Sequence, residues 1–184
     1  MTGMGFSVCV IDTSSELFNA VLALRSRYLG ENPAQEDDFE RRERTRDALS
    51  YHLVYLNQGQ VVGTMRATPL GHGLSFVERA VNVPAHFAEP TNAFDANRLV
   101  MDERYRGGRH LRTFLLQAAI WLKANTHLRF ISALCRGQLA ALYVGIGGRV
   151  LVDDLAWNGM LNERRYSLVY LELEHVYQTV KGYN

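Results

Sequence analysis

The order of strand and helix patterns in this chain predicts one domain built on a mixed α/β sheet. A hairpin pattern occupies residues 51–68, and strand–helix–strand patterns follow over residues 94–173. No internal repeat, low-complexity tract or Pro/Ser-rich linker interrupts the 184 residues. A chain of this length is sufficient for one compact domain with a sizeable core.

The composition is typical of a globular protein in a reducing compartment. Hydrophobic residues make up 47% and charged residues 21%, and the formal net charge of +1 gives no reason to expect a nucleic-acid or membrane partner. The two cysteines cannot form a disulfide framework. We find no signal-peptide pattern and no apolar run of about 20 residues. These features predict a cytoplasmic protein.

The first quarter of the chain predicts a strand and two helices. Phe6–Ile11 is rich in β-forming residues, and the hydroxyl-rich segment Thr13–Glu16 precedes a helical spacing of apolar side chains that ends near Gly30. The run from Glu36 to Asp47 mixes acidic and basic residues, which is typical of a solvated helix face with weak ion pairs. A mobile flap over an acceptor site is the alternative interpretation of this run.

The remaining elements follow from alternation, helical periodicity and turn residues. The sequence predicts strands at Tyr51–Leu56, Gln60–Thr68, Phe94–Met101, Phe130–Leu134, Val150–Val152 and Ser167–Leu173, and helices at Leu111–Leu122 and Gln138–Val144. Residues 71–92 contain two glycines and two prolines, so we expect an irregular excursion with one short strand at Leu74–Val77.

The segment that carries the most chemical information connects the strand at 94–101 to the next helix. It contains Gly107 and Gly108 together with four arginines, Arg104, Arg106, Arg109 and Arg112. Glycines let backbone N–H groups approach a ligand, and a helix N-terminus adds a positive partial charge. The loop is therefore suited to a phosphate or pyrophosphate, although neither the Rossmann fingerprint nor the P-loop ending is present.

A second segment, residues 139–150, places Tyr143 on a short helix before a glycine turn and a strand. A tyrosine in this position is common as an amphipathic residue of a core helix. Together, however, the two segments resemble the GNAT superfamily of N-acyltransferases. In that family an arginine/glycine loop holds the pantetheine-pyrophosphate arm, and a tyrosine on a later helix is the usual general acid.

The resemblance implies a mostly antiparallel central sheet flanked by helices and a thioester donor, either acyl-CoA (including acetyl-CoA) or the acyl-phosphopantetheine of an acyl carrier protein. It implies Tyr143 as the catalytic acid. It also implies backbone amides of the strand as ligands of the thioester carbonyl, and a donor site made of Leu99, Val100, Met101, Arg106, Gly107, Gly108, Arg109, His110, Leu111 and Arg112.

The chain departs from the usual Arg/Gln-x-x-Gly-x-Gly/Ala loop. Counted from Arg106, the two glycine positions hold Arg109 and Leu111; counted from Arg104, they hold Gly107 and Arg109. In the turn after the later helix, Gly148 replaces the aromatic residue that usually follows the second glycine. Bulky side chains at those positions would crowd a pyrophosphate bound by the backbone. The single phosphate of a carrier protein needs less of the loop.

A branch of the family, the acyl-homoserine-lactone and N-acyl amino acid synthases, is similar in further positions. Four features of that branch have counterparts here: Arg25 on the first helix, Asp47 before a strand, the Gly63–Arg66 strand end and Arg98. The resemblance implies that Arg25, Arg66 and Arg98 bind the carboxylate of a small-molecule amine acceptor, since arginine binds carboxylates in a bidentate manner. Ion pairing of these arginines with the acidic residues of 36–47 is the alternative. Ala96 stands where lactone synthases usually have glutamate, which favours amide formation over lactone formation.

Several assignments stay open at this level. Asp47, Glu78 and Asp95 are candidate general bases beside a water relay, and Cys135 fits a buried hydrophobic role better than that of a nucleophile. The six histidines lack metal-ligand spacing, so we expect no metal. A non-catalytic module that binds a pantetheine ligand or a protein is the alternative function. The sequence leaves open whether the chain forms a homodimer.

Overall fold

A computed structural model describes residues 5–29, 37–156 and 165–182. The strands are β1 (Phe6–Ile11), β2 (Tyr51–Asn57), β3 (Gln60–Pro69), β4 (Ala93–Met101), β5 (Phe130–Cys135), β6 (Arg149–Ala156) and β7 (Arg165–Glu172). The helices are α1 (Phe18–Leu29), α2 (Asp37–Leu49), α3 (Phe76–Ala80), α4 (Gly108–Asn125), α5 (Gly137–Gly145) and α6 (Leu173–Lys181).

The strands form a seven-stranded sheet in the order β1-β2-β3-β4-β5-β7-β6. The pairs β1–β2, β2–β3, β5–β7 and β6–β7 are antiparallel, whereas β4 and β5 run parallel. The predicted mixed, mostly antiparallel sheet with flanking helices is confirmed. Each strand that the sequence predicts outside residues 71–92 is present, with bounds that differ by a few residues.

The chain divides into two compact units. The first contains Met1–Thr68 and Asn97–Ala118, and the second contains Pro69–Ala96 and Ala119–Asn184. The prediction of a single domain stays a prediction. In the first unit, the buried rings of Tyr55 and Phe114 stack with centroids 5.5 Å apart. In the second, a buried cluster joins Leu70, Val77, Val83, Phe87, Ala93 and Leu168. In both cores apolar side chains are removed from water, and this hydrophobic burial is the main contribution to the stability of each unit.

The strand predicted at Leu74–Val77 is wrong, because local capping starts a helix there. The Ser75 side chain accepts a hydrogen bond from the Glu78 backbone N–H, and the Glu78 carboxylate accepts one from the Ser75 backbone in return. This capping box satisfies two N–H groups that a helix start would otherwise leave unpaired. The carboxylate of Glu78 also accepts from the N–H groups of Gly71 and Gly73, which fixes the preceding turn.

The C-terminal helix α6 is absent from the sequence prediction. Its buried face consists of Leu173, Val176 and Val180, at the spacing of one helix face. The helix begins directly after the last residue of β7, so the apolar run of the strand continues into the helix without a turn residue. This continuity explains why the sequence predicted a strand up to Leu173 and no helix after it.

Among the described residues, no helix is long and apolar enough to cross a membrane.

Candidate active site

The glycine loop lies in the first unit, between β4 and α4. Gly107 and Gly108 have φ angles of +73° and +49°, a region that glycine adopts without steric cost. A Cβ atom added to either glycine would meet no heavy atom within 4 Å, so the space beside the Cα atom of each glycine is open. The 18-residue helix α4 begins at Gly108, and its N-terminal N–H groups therefore lie at this open loop.

All four arginines around the loop are exposed, and Arg104 and Arg106 also contact neighbouring residues. Arg106 donates from Nε to the carbonyl oxygen of Met101 at 3.1 Å, and its guanidinium lies 4.3 Å from the ring centre of Tyr28. Arg104 donates to both carboxylate oxygens of Asp102. Arg109 and Arg112 are exposed on the first turns of α4. The loop thus presents positive charge next to the helix N-terminus.

His110 and Leu111, which the sequence also assigned to the donor site, are half-buried. The imidazole of His110 lies 4.5 Å from the ring of Phe6 and 5.4 Å from that of Tyr105, centroid to centroid. The Tyr55 hydroxyl is 3.3 Å from its Nδ1. This aromatic packing fixes the first turn of α4, so the loop is anchored from within the first unit.

The end of β4 contains a strained residue. Arg98 has a φ of +53°, a left-handed conformation that costs a non-glycine residue about 1–2 kcal/mol. Leu99, Val100 and Met101 follow it, and the last two are buried. A left-handed residue within a strand interrupts the alternation of the backbone, so it changes the direction of the amides that follow. The parallel pairing of β4 with β5 runs through Ala93, Phe94 and Asp95.

The structure brings Arg25, Arg66 and Arg98 together, and it places them against two carboxylates of α2. Arg25 and Arg66 both donate to Asp47 Oδ1, at 3.0 and 2.8 Å. Arg66 and Arg98 both donate to Glu43 Oε2, at 3.1 and 2.8 Å. Arg25 is 2% exposed and Arg66 is fully buried. We call the group of Arg25, Glu43, Arg46, Asp47, His52, Arg66 and Arg98 the arginine cluster.

The interpretation of residues 36–47 as a solvated face is therefore wrong for half of α2. Arg44 and Glu40 do form an exposed pair at 3.0 Å, but Arg46 is fully buried and contacts Glu43. Glu43 and Asp47 share one helix face because they are four residues apart. The charges of that face bind the arginines of α1, β3 and β4. Residue 36 lies outside the described residues.

Electrostatics within the arginine cluster keep Glu43 ionised. Burial alone would raise the pKa of Glu43, but the charges of Arg66 and Arg98 outweigh it and lower the pKa to about 2. Burial lowers the pKa of Arg25 to about 10, against the opposing charge of Asp47. Both groups are therefore charged at neutral pH. The cluster is ionic as well as buried, a combination that requires good hydrogen-bond geometry.

Tyr143 lies on α5 in the second unit and is 6% exposed. Burial raises the pKa of its phenol, and the nearby acidic groups Cys135 and Asp95 act in the same direction. The phenol therefore holds its proton at neutral pH. A buried, protonated hydroxyl can donate a hydrogen bond or a proton to an anionic partner.

Gly148, the departure from the usual aromatic residue, has a packing explanation. A Cβ at this position would lie 2.8 Å from both the Tyr143 carbonyl oxygen and the Leu171 Cγ. The Gly148 N–H also donates to the Tyr143 carbonyl at 2.9 Å. The turn after α5 therefore passes too close to its neighbours for any side chain.

Comparison of the whole structure with solved structures yields consistent matches. The N-acyl amino acid synthase FeeM from uncultured soil microbes has a TM-score of 0.72 at 11% identity, over 94% of this chain and 92% of that one. The AHL synthase LasI has a TM-score of 0.65 at 16% identity, over 93% and 91%. An acyl-CoA N-acyltransferase from Pseudomonas aeruginosa has a TM-score of 0.60 at 14% identity, over 90% and 99%. The chain has the GNAT fold. No family profile and no curated protein matches the sequence itself.

Within this GNAT fold, the three candidate bases are all engaged in structural contacts. Asp47 accepts from two arginines, and Glu78 caps α3. Asp95 accepts from the Phe76 backbone N–H at 2.9 Å. Cys135 is buried, its sulfur lies 3.7 Å from the Ser167 carbonyl, and burial raises the pKa of its thiol to about 11. A thiol with this pKa is protonated at neutral pH and is a poor nucleophile.

The alternative interpretation, in which Arg25, Arg66 and Arg98 pair with acidic residues of 36–47, is what the structure shows, although the pairs are buried. Sequence reasoning missed Arg46 and His52 as members of the arginine cluster of this GNAT fold. One signal was present: His52 stands in an otherwise apolar strand, Tyr51–Leu56, where a polar side chain requires a buried partner. Among the described residues, no group of three or more His, Cys, Asp or Glu side chains is arranged to hold a metal ion. A groove of about 460 Å³ on α6 is lined by none of the predicted site residues.

Proposed function

We propose that this protein is an N-acyltransferase that moves an acyl group from a pantetheine thioester to the amine of a small molecule, such as an amino acid derivative. The observation that carries the proposal is the open glycine loop at the N-terminus of α4. The space beside the Cα atoms of its two glycines is open, and exposed arginines border the loop. Backbone N–H groups at a helix N-terminus together with arginines are the groups that bind phosphate.

The donor would lie along β4 and the loop. The phosphate of the pantetheine arm would bind the loop N–H groups and Arg109, while backbone N–H groups of Leu99–Met101 would donate hydrogen bonds to the thioester carbonyl oxygen. The strained Arg98 supports this assignment, because it turns the following amides away from the regular direction of the strand. Amides held in this way can stabilise the oxyanion that develops when the amine attacks.

The chemistry requires an amine, a thioester and two proton transfers. The neutral amine nitrogen attacks the thioester carbon, the carbon–sulfur bond breaks, and the sulfur leaves with the proton of the Tyr143 hydroxyl. The amine proton passes to water, since Asp47, Glu78 and Asp95 are engaged elsewhere. Water then returns a proton to the phenolate. Tyr143 can fill this role because its hydroxyl carries its proton at neutral pH.

The arginine cluster is the proposed acceptor side. Arg98 lies at the strained position of β4, and Arg25 and Arg66 are fixed by Asp47 in the same cluster. A carboxylate next to the reacting amine would be recognised by such guanidinium groups through charge-assisted hydrogen bonds. This arrangement supports an amino acid derivative as the acceptor class.

The test is product formation from a panel of acyl-CoA and acyl-carrier-protein donors with amino acids and other amines, measured by mass spectrometry. We expect Tyr143→Phe to reduce kcat at least about tenfold. Tyr177→Phe is the matched control, because this side chain on α6 contacts Lys123 and has no proposed role. Full activity of Tyr143→Phe would remove the tyrosine from the mechanism. If no donor gives a product but pantetheine compounds bind, the protein is a non-catalytic binding module.

Charge-reversal variants can distinguish an acyl carrier protein from acyl-CoA as the donor. Reversal of Arg106, Arg109 and Arg112 to Glu should weaken binding of a carrier protein with a steep salt dependence, because such partners are recognised across an extended charged surface. It should weaken binding of CoA with a smaller salt dependence. Unchanged carrier-protein binding after the triple reversal would exclude that donor.

A control variant with the same change in net charge is Arg149, Arg165 and Lys181 to Glu. These residues lie on β6, β7 and α6, and the proposal gives them no role. Loss of donor binding in the control to the same extent would mean that net charge alone is responsible.

A further inference from the structure

His52 is a buried member of the arginine cluster whose role the acyl-transfer chemistry does not explain. It lies on β2, has no exposed surface, and is directly opposite Arg66 in the antiparallel pair β2–β3. Its Nδ1 is 2.9 Å from Arg25 Nη2, and its Nε2 is 2.9 Å from the Asp47 carbonyl oxygen. The ring of Phe18 packs edge-on against the imidazole, with centroids 4.9 Å apart.

These partners determine the proton on the ring. A guanidinium group only donates hydrogen bonds, so Nδ1 of His52 must accept one and carries no proton. A carbonyl oxygen only accepts, so Nε2 must carry the proton. The geometry therefore requires the neutral Nε2–H tautomer. A protonated imidazole would direct its Nδ1–H at the Arg25 nitrogen and break this contact.

The net effect of the charged groups around His52 is to oppose protonation of its imidazole. Arg25 of α1 and Arg66 of β3 are the cations that face it, and Asp12, which precedes α1, acts on it from a greater distance. The carboxylate of Asp47 lies 3.9 Å from Nε2, but Arg25 and Arg66 already bind it. Burial, followed by the charge of Arg25, lowers the pKa of His52, and the Asp47 contacts only partly oppose this effect.

The contact with His52 directs the Arg25 guanidinium. Nη1 donates to Asp47 and Nη2 donates to His52, so both terminal nitrogens are held. Nε of Arg25 is buried and has no hydrogen-bond partner among the described residues. A carboxylate oxygen that reached this nitrogen would satisfy it. Without His52, Nη2 would lose its partner and the guanidinium could rotate.

We infer that His52 is a positioning residue, which holds Arg25 in the orientation that binds the acceptor carboxylate and releases it when the imidazole is protonated. The inference rests on the proposed function, because it assumes that the arginine cluster binds the acceptor. It predicts that acceptor binding weakens once the pH falls below the range in which an ordinary histidine titrates, while donor binding does not change.

The test uses two substitutions with different hydrogen-bonding capacity. In His52→Gln, the side-chain amide can accept from Arg25 and donate to the Asp47 carbonyl, but it does not titrate. In His52→Leu, both hydrogen bonds are lost. We expect the wild-type KM for the acceptor to stay within about twofold between about pH 7.5 and about pH 6, and to rise at least about threefold as the pH falls further to about 4.5, because burial and the charge of Arg25 lower the pKa of His52 below that of an ordinary histidine. We expect His52→Gln to keep the neutral-pH KM without this rise.

For His52→Leu we expect an acceptor KM at least about tenfold higher at neutral pH, with kcat and the donor KM changed less than about twofold. His86→Gln, an exposed histidine, is the control and should behave as the wild type. An unchanged acid dependence in His52→Gln, or a wild-type KM in His52→Leu, would overturn the inference.

A measurement that does not need turnover separates this inference from the proposed function. ¹⁵N NMR of the ring should show a protonated Nε2 and an unprotonated Nδ1 at about pH 6, where an ordinary histidine is largely protonated. A protonated Nδ1 at that pH would overturn the inference whatever the activity. Absence of acyl transfer with every donor and acceptor would instead overturn the proposed function, and the NMR result would stand separately.

Discussion

The carboxylate of Glu43 is the group in the arginine cluster whose removal should have the largest measurable effect. It accepts hydrogen bonds from Arg66 and Arg98 and also contacts the buried Arg46. In Glu43→Gln, the side chain keeps nearly the same shape but loses its charge. Three guanidinium groups would then face a neutral amide in a buried site, and we expect the folded state to lose stability.

The size of the effect follows from the pKa. Burial raises the pKa of Glu43 and the arginines lower it, with a net decrease from an ordinary 4.5 to about 2. One pKa unit corresponds to about 1.4 kcal/mol, so the folded protein favours the charged form by about 3 kcal/mol. Removing one partner of a buried ion pair typically costs about 3–5 kcal/mol. We therefore expect a loss of about 3 kcal/mol at neutral pH.

The measurement is urea unfolding followed by circular dichroism, with the free energy of unfolding extrapolated to water. Glu40→Gln on the same helix is the matched control, since its pair with Arg44 is exposed and such pairs contribute at most about 1 kcal/mol. A loss below about 1 kcal/mol in Glu43→Gln would refute the assignment of Glu43 as a buried, ionised group.

The ionised state of Glu43 also predicts how the stability of the protein changes with pH. The pKa of Glu43 is lower in the folded than in the unfolded chain, so the unfolded chain binds more protons in acid. The stabilisation is therefore complete above about pH 4.5 and is lost as the pH falls to about 2. The stability difference between wild type and Glu43→Gln should shrink over that interval. A difference that stays constant down to about pH 2 would contradict the pKa argument.

Two further predictions concern the second unit. Gly148→Ala should destabilise it by about 1–3 kcal/mol in urea unfolding, since the added methyl would lie 2.8 Å from a carbonyl oxygen and from a leucine side chain. Gly145→Ala at the end of α5 meets no atom within 4 Å and should be neutral or stabilising; equal losses in both variants would contradict the packing argument. In a Cys9→Ser background, Cys135 should react with iodoacetamide at about pH 8 at least about a hundredfold more slowly in the folded than in the unfolded protein, because burial raises the pKa of its thiol to about 11. Equal rates would show an accessible, ionised thiol.

The periodicity of apolar residues and the turn residues were sufficient to predict most of the strands and helices. The hairpin β2–β3 and the strand–loop–helix unit of β4 and α4 follow from alternation, glycine placement and the apolar stripe of residues 111–122. The resemblance to GNAT acyltransferases supplied the fold family, which the structural comparison confirms. The short strand predicted at Leu74–Val77 failed because the side chain of Glu78 binds backbone N–H groups nearby, and hydrogen bonds of this kind outweigh the weak β preference of four residues.

By itself, the sequence determined where the glycine loop, Tyr143 and the arginines stand in the order of elements, because these depend on local spacing. Only the tertiary structure decided what Glu43 and Asp47 do. A run of mixed charges has the same pattern on a solvated face as on a buried one, since nothing local shows which arginines of other elements face it. Contacts of Arg25, Arg66 and Arg98 with this helix span 19 to 55 residues of chain, and they turn a charged surface pattern into a buried cluster.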